Sequence, residues 1–151
     1  MKKFLFTVFL LSAILPLQAQ NRSTYNKALA DSVGADEYGM RSYIFVILKT
    51  GPTVITDQHQ SDSLFRLHMA NITRLSQLNK LVLAGPYGSN SLKFRGLFIL
   101  NVTTEEEARE LLKTDPTIRA GIFEVEIIPW YGSAALQLLR DFQEQISIKA
   151  H

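Results

Sequence analysis

The chain has 151 residues, 46% of them hydrophobic and 20% charged, with 16 Lys and Arg against 14 Asp and Glu and no cysteine. Without cysteine there is no disulfide, no thiolate metal site and no amino-terminal cysteine to carry a lipid. Lys2 and Lys3 account for the whole net charge of +2, and no basic cluster follows, so the electrostatic footprint of a nucleic-acid binder is missing.

Residues 1–19, MKKFLFTVFLLSAILPLQA, open with those lysines, continue as an apolar run from Phe4 to Leu15, and end at Pro16 and a small Ala19. This is the layout of a secretory signal peptide, with an apolar core shorter than the roughly 20 residues a membrane span needs. The expected mature protein is exported, to the periplasm or beyond the cell, with no stable membrane association once the leader is removed. Residues 20–41 are polar with two glycines and read as a linker or a short helix draped on the domain, with a helical hint around Lys27 to Val33.

From Ser42 the texture changes. SYIFVILK is β-branched, aromatic and aliphatic and is closed by Thr50-Gly51-Pro52, which predicts a first strand. After a polar loop, Ser61 or Asp62 is placed to cap a helix running to about Leu78, with Leu64, His68, Ile72 and Leu75 on one face. KLVLAGPYG predicts a second strand ending at Gly85-Pro86, and Gly96 to Val102 a third, antiparallel to it. TTEEEARELLKTD carries a capping box, Thr103 with Glu106 or Thr104 with Glu107, and an apolar face of Ala108, Leu111 and Leu112. DPTIRAG is a short connection, and IFEVEIIPW alternates as a fourth strand. Residues 133–151 predict a terminal helix and tail, capped by Ser133 with Leu139, Phe142 and Ile146 on one side.

Residues 42–132 therefore predict one α+β domain of order β-α-β-β-α-β, the ferredoxin-like pattern. Two helices cover one face of such a sheet. Ile44 to Leu48 and Leu97 to Leu100 are apolar at successive positions, so both faces need cover. The terminal helix can supply part of that cover, but a second copy stacked sheet to sheet is the simpler solution, which predicts a homodimer.

Of the three histidines, His151 is terminal. His59 lies beside Asp57 and Asp62, a set that could in principle ligate a metal, although a polar loop of this composition is ordinarily just solvated; no metal or cofactor is expected. His68 stands where a leucine would be expected. It is either a core histidine with both nitrogens satisfied or a general acid/base, which needs a carboxylate to fix its tautomer. Asp115 is the candidate partner, though the sequence Asp-Pro with Gly121 closing the segment also fits a helix N-cap, and one residue can do both.

HMANITRLSQLNKLVLAGPYG, RGLFILNVTTEEEARELLKTDPTIRAG and VEIIPWYG, in that order, resemble the YCII-related domain family over about residues 42–132, and EYGMRSYIFVILKTGP resembles an exported subgroup of it. The resemblance implies a dimeric α/β barrel, here with an extra C-terminal helix. It also implies that His68 and Asp115 match the family's proposed active-site pair, beside a ligand pocket near Gly85 and Pro86. It names no substrate.

Two functions stay open. One is a small enzyme in which His68 and Asp115 move a proton on a small organic molecule in an isomerase-, lyase- or hydrolase-like step; no nucleophile elbow and no phosphate-binding loop points elsewhere. The other is a non-catalytic module that binds a small ligand or a partner in the same cavity.

Overall fold

The computed structural model describes residues 24–148, so the expected leader and His151 lie outside the described residues. Four strands form one sheet: β1 (Met40–Thr50), β2 (Leu81–Pro86), β3 (Phe94–Leu100) and β4 (Phe123–Ser133), in the order β2-β3-β1-β4 with every neighbouring pair antiparallel. The helices are α1 (Lys27–Ser32), α2 (Gln58–Gln77), α3 (Glu105–Leu112), α4 (Pro116–Arg119) and α5 (Leu139–Ile146). Leaving aside α1, α4 and α5, the order is β-α-β-β-α-β with the two central strands β1 and β3 adjacent, which is the α+β ferredoxin-like fold. Among the described residues no helix is long and apolar enough to cross a membrane.

Strand alternation separates the two faces. Ile44, Val46 and Leu48 of β1 join Phe98 and Leu100 of β3, Leu81 and Phe123 in the core, against Leu75 of α2 and Ala108 and Leu112 of α3. Each of these residues removes apolar surface from water, and together they fix which way the two long helices lie. The intervening positions Phe45, Ile47 and Leu97 point to the opposite face and stay half-buried, with Ile128 and Trp130 more open still. At one end of that face, Tyr43 and Ile99 are buried. There the chain leaving β4 passes through a 3-10 turn (Ala134–Leu138), and Gln137 bridges the Tyr43 hydroxyl and Asn101 Oδ1, each at 3.3 Å. The C-terminal segment thus covers part of the second face and leaves an apolar remainder.

Several boundaries differ from expectation. The helical hint within residues 20–41 is realised as α1, capped by Asn26, whose side chain accepts from Leu29 N–H. α2 is capped by Asp57, not by Ser61 or Asp62, since the Asp57 carboxylate accepts from Gln60 N–H at 2.8 Å. His59 therefore sits in the first turn of a helix. Asp62 accepts from the Gln58 amide at 2.7 Å, and among the described residues no group of three His, Cys, Asp or Glu is arranged to hold a metal ion. Ser133 is the last residue of β4 and also caps the 3-10 turn by accepting from Ala135 N–H.

DPTIRAG is a helical turn, α4, closed by Gly121 at φ 72°, a left-handed conformation that favours glycine. Gly51 packs against this return so closely that a Cβ there would stand 2.2 Å from the Gly121 carbonyl oxygen. The crossing pins the start of β4 to the end of β1, and with it the height at which α4 presents Asp115.

Candidate active site

α2 turns His68, Asn71 and Leu75 inward, at the spacing of a buried helical stripe. α4 begins at Pro116, whose ring fixes φ for the first helical position, and Asp115 before it is the N-cap. Asp115 and Thr117 are fully buried, and His68 is 8% exposed. The two elements meet through side chains: His68 Nδ1 lies 2.6 Å from Asp115 Oδ2. The other carboxylate oxygen, Oδ1, accepts from Thr117 N–H at 2.9 Å and from the Thr117 hydroxyl at 2.6 Å. Thr117 Oγ1 is also 3.3 Å from His68 Nδ1.

Burial alone would raise the Asp115 carboxyl. The hydrogen bond from His68, then those from Thr117 together with the imidazole's charge, outweigh it and hold the group below the usual carboxylate range. Asp115 is therefore an anion at neutral pH with no proton to give, so His68 Nδ1 must carry the hydrogen between them. In the neutral ring the lone pair is then on Nε2. That nitrogen has no hydrogen bond among the described residues, where the one sealed side-chain polar atom without a partner is Arg41 Nε. Nε2 thus keeps some contact with the outside.

Aromatic rings frame the imidazole. Phe98 stacks on it at 6.1 Å between centroids, while Phe123 at 5.5 Å and Phe65 at 6.4 Å stand edge-on. Phe98 comes from the central strand β3 and Phe123 from the start of β4, so sheet and helix together set the ring's tilt. One turn along α2, Asn71 Oδ1 accepts from Arg74 Nη2 at 2.8 Å and lies 3.0 Å from Thr114 Oγ1. Thr114 and Asp115 are consecutive, so the corner between α3 and α4 is gripped by two successive turns of α2.

Of the four residues singled out from the sequence, His68 and Asp115 are brought together. Gly85 and Pro86 end the edge strand β2, paired with Leu97 and Gly96. Ala84 packs on the core, so alternation turns Gly85 to the opposite sheet face, where a Cβ would meet nothing within 4 Å. Among the described residues, no hydrogen bond joins either residue to the His68–Asp115 pair. Thr117, Asn71 and the three phenylalanines escaped the sequence reading. Thr117 carried a signal, since a hydroxyl two residues after a capping aspartate is placed to turn back onto it.

No curated protein sequence matches this chain. Among solved structures, it is similar to the 5-chloro-2-hydroxyhydroquinone dehydrochlorinase of Burkholderia phenoliruptrix, determined in complex with 2,5-dihydroxybenzoquinone. That likeness has 19% identity and a TM-score of 0.41 over 58% of this chain and 92% of that one. The model of the YCII-related domain matches residues 43–131, which is more than half of the chain and includes both His68 and Asp115, and the chain therefore belongs to the YCII-related domain family.

Proposed function

We propose that this protein is an exported small-molecule enzyme in which His68 and Asp115 form an acid/base pair. The observation that carries the reading is the 2.6 Å contact between His68 Nδ1 and Asp115 Oδ2 inside a frame of aromatic rings. In this reading Nε2 takes a proton from a small organic substrate, Asp115 stabilises the imidazolium that results, and the proton returns to another atom or to a leaving group. Such a step serves an isomerase, a lyase or a hydrolase acting through water, and the pair itself needs no cofactor for it.

The test is a panel of small carboxylates, lactones and haem offered to the purified mature protein, with binding read by thermal shift and turnover by proton NMR. A compound turned over by the wild type should lose about 10²- to 10⁴-fold in rate with His68→Asn. Binding without turnover, or turnover indifferent to His68→Asn, would replace the enzyme by a non-catalytic binding module.

The same proposal includes a homodimer that stacks the open sheet faces, because Phe45, Ile47, Leu97, Ile128 and Trp130 form an apolar surface the C-terminal segment leaves uncovered. Light scattering should give twice the chain mass for the wild type and the single mass for Ile128→Glu, which introduces a charge on that face. Export is tested by intact mass: the secreted or periplasmic protein should begin at Gln20.

A further inference from the structure

We infer that Thr117 is a positioning residue for His68, acting through Asp115: its two hydrogen bonds to one carboxylate oxygen aim the other at Nδ1 and so leave Nε2 as the free nitrogen. This rests on the acid/base reading of the pair. Asp115 Oδ1 is held at 2.9 Å by Thr117 N–H and at 2.6 Å by Thr117 Oγ1, which sets the carboxylate plane. Oδ2 then has one partner, His68 Nδ1 at 2.6 Å. Both Asp115 and Thr117 are sealed from water, so no solvent molecule is at hand to replace the hydroxyl if it is removed. The backbone bond at Oδ1 survives replacement of the Thr117 side chain by Val or Ser, and the hydroxyl is what the side chain adds.

Thr114 provides the contrast. It too is a threonine at this corner, with Oγ1 2.6 Å from Leu111 O and 3.0 Å from Asn71 Oδ1, yet none of its bonds reaches Asp115 or His68. A merely structural threonine should behave like Thr114.

The experiment reads the side chains directly, by long-range proton–nitrogen NMR of the His68 ring and carbon NMR of the Asp115 carboxyl in the full mature protein. The wild type should show Nδ1 protonated in the neutral ring and Nε2 bare. Thr117→Val should shift the tautomer balance toward Nε2–H by about tenfold, the scale of one hydrogen bond to a charged group. The same variant should raise the Asp115 titration toward the usual carboxylate range. Thr117→Ser should restore both readings, and Thr114→Val should leave both unchanged. With a turned-over substrate in hand, Thr117→Val should lower kcat about tenfold at unchanged KM, on the same scale.

Thr117→Val with wild-type tautomer and titration would overturn the inference, as would Thr114→Val moving them equally. If Thr117→Val does not fold, the wild type decides: Nε2 found protonated in the neutral ring ends the case. The tautomer and titration readings need no substrate, so a failed enzyme screen and a failed positioning role are told apart.

Discussion

Two aspartates in this protein each collect three hydrogen-bond donors, and the difference between them shows what burial does. Asp115 receives His68 Nδ1, the Thr117 hydroxyl and Thr117 N–H, and is sealed. Asp36, in the turn that leads from α1 into β1, receives the Tyr131 hydroxyl on one oxygen and the N–H groups of Tyr38 and Met40 on the other, and lies at the surface. Both carboxyls are held below the usual range, Asp115 against a burial penalty and Asp36 chiefly by the Tyr131 hydroxyl. In water the alternative partner for a carboxylate is always present, so a lost donor is replaced. Inside, nothing replaces it.

The largest effect should come from removing one half of the buried pair. His68→Leu keeps an apolar shape among the three phenylalanines but strands the Asp115 anion, and urea denaturation at neutral pH should show a loss of about 3 to 5 kcal/mol. Adding Asp115→Asn removes the charge and keeps a side chain able to cap α4, so the double variant should recover a good part of that loss. A double variant as unstable as His68→Leu would show that the imidazole's packing, and not the pairing, is what the core needs. The matching change at the surface, Asp36→Asn, should move the unfolding midpoint far less than His68→Leu does.

An intermediate effect follows from pH. The Asp115 carboxyl titrates below its ordinary value of 3.8, so the folded state binds its proton less readily than the unfolded chain. The stability this carries is therefore fully present above about pH 4 and is lost as the pH falls through the lower, folded value. Unfolding measured from pH 5 downward should show the gap between wild type and Asp115→Asn closing in that window. A gap that stays constant to pH 2 would mean that Asp115 is not the anion the geometry requires.

The sequence carried the layout of the sheet well, because strand and helix periods are local signals. The alternation in β4 and the stripe of α2 each follow from a few adjacent residues. Boundaries were less legible where several residues could serve equally: Asp57, Ser61 and Asp62 are all competent caps, and the first of them wins because the helix extends as far as its polar end allows. The polar composition of residues 20–41 left α1 as no more than a hint at Lys27 to Val33, because its strong local marks are few, an Asn cap and the Lys27–Asp31 pair. The meeting of His68 with Asp115 joins positions 47 residues apart, and no spacing rule reaches that far. The need of a general base for a carboxylate makes Asp115 a candidate, and the family resemblance adds that the two match a proposed site pair. Thr117 was readable in principle from the cap, but its importance depends on its being sealed, which no local pattern reports.

The smallest effect sharpens the comparison from the exposed side. Tyr131→Phe deletes the hydroxyl that donates to Asp36 and keeps the ring, which is itself half in solvent. Water then takes the vacated place on the carboxylate, so the melting temperature should fall far less than in Thr117→Val. The local reading should still move: carbon NMR should show Asp36 titrating closer to its ordinary 3.8, because its largest depressing influence is gone while the Tyr38 and Met40 amides remain. In the wild type the same bond holds the Tyr131 hydroxyl above its ordinary value, since giving up the proton would leave two anions facing each other. A shifted titration with a loss much smaller than that of Thr117→Val would establish that a perturbed carboxyl at the surface carries far less weight than the sealed one. Equal losses from Tyr131→Phe and Thr117→Val would instead mean that the turn before β1 is as tightly bound into the folded state as the corner that holds Asp115.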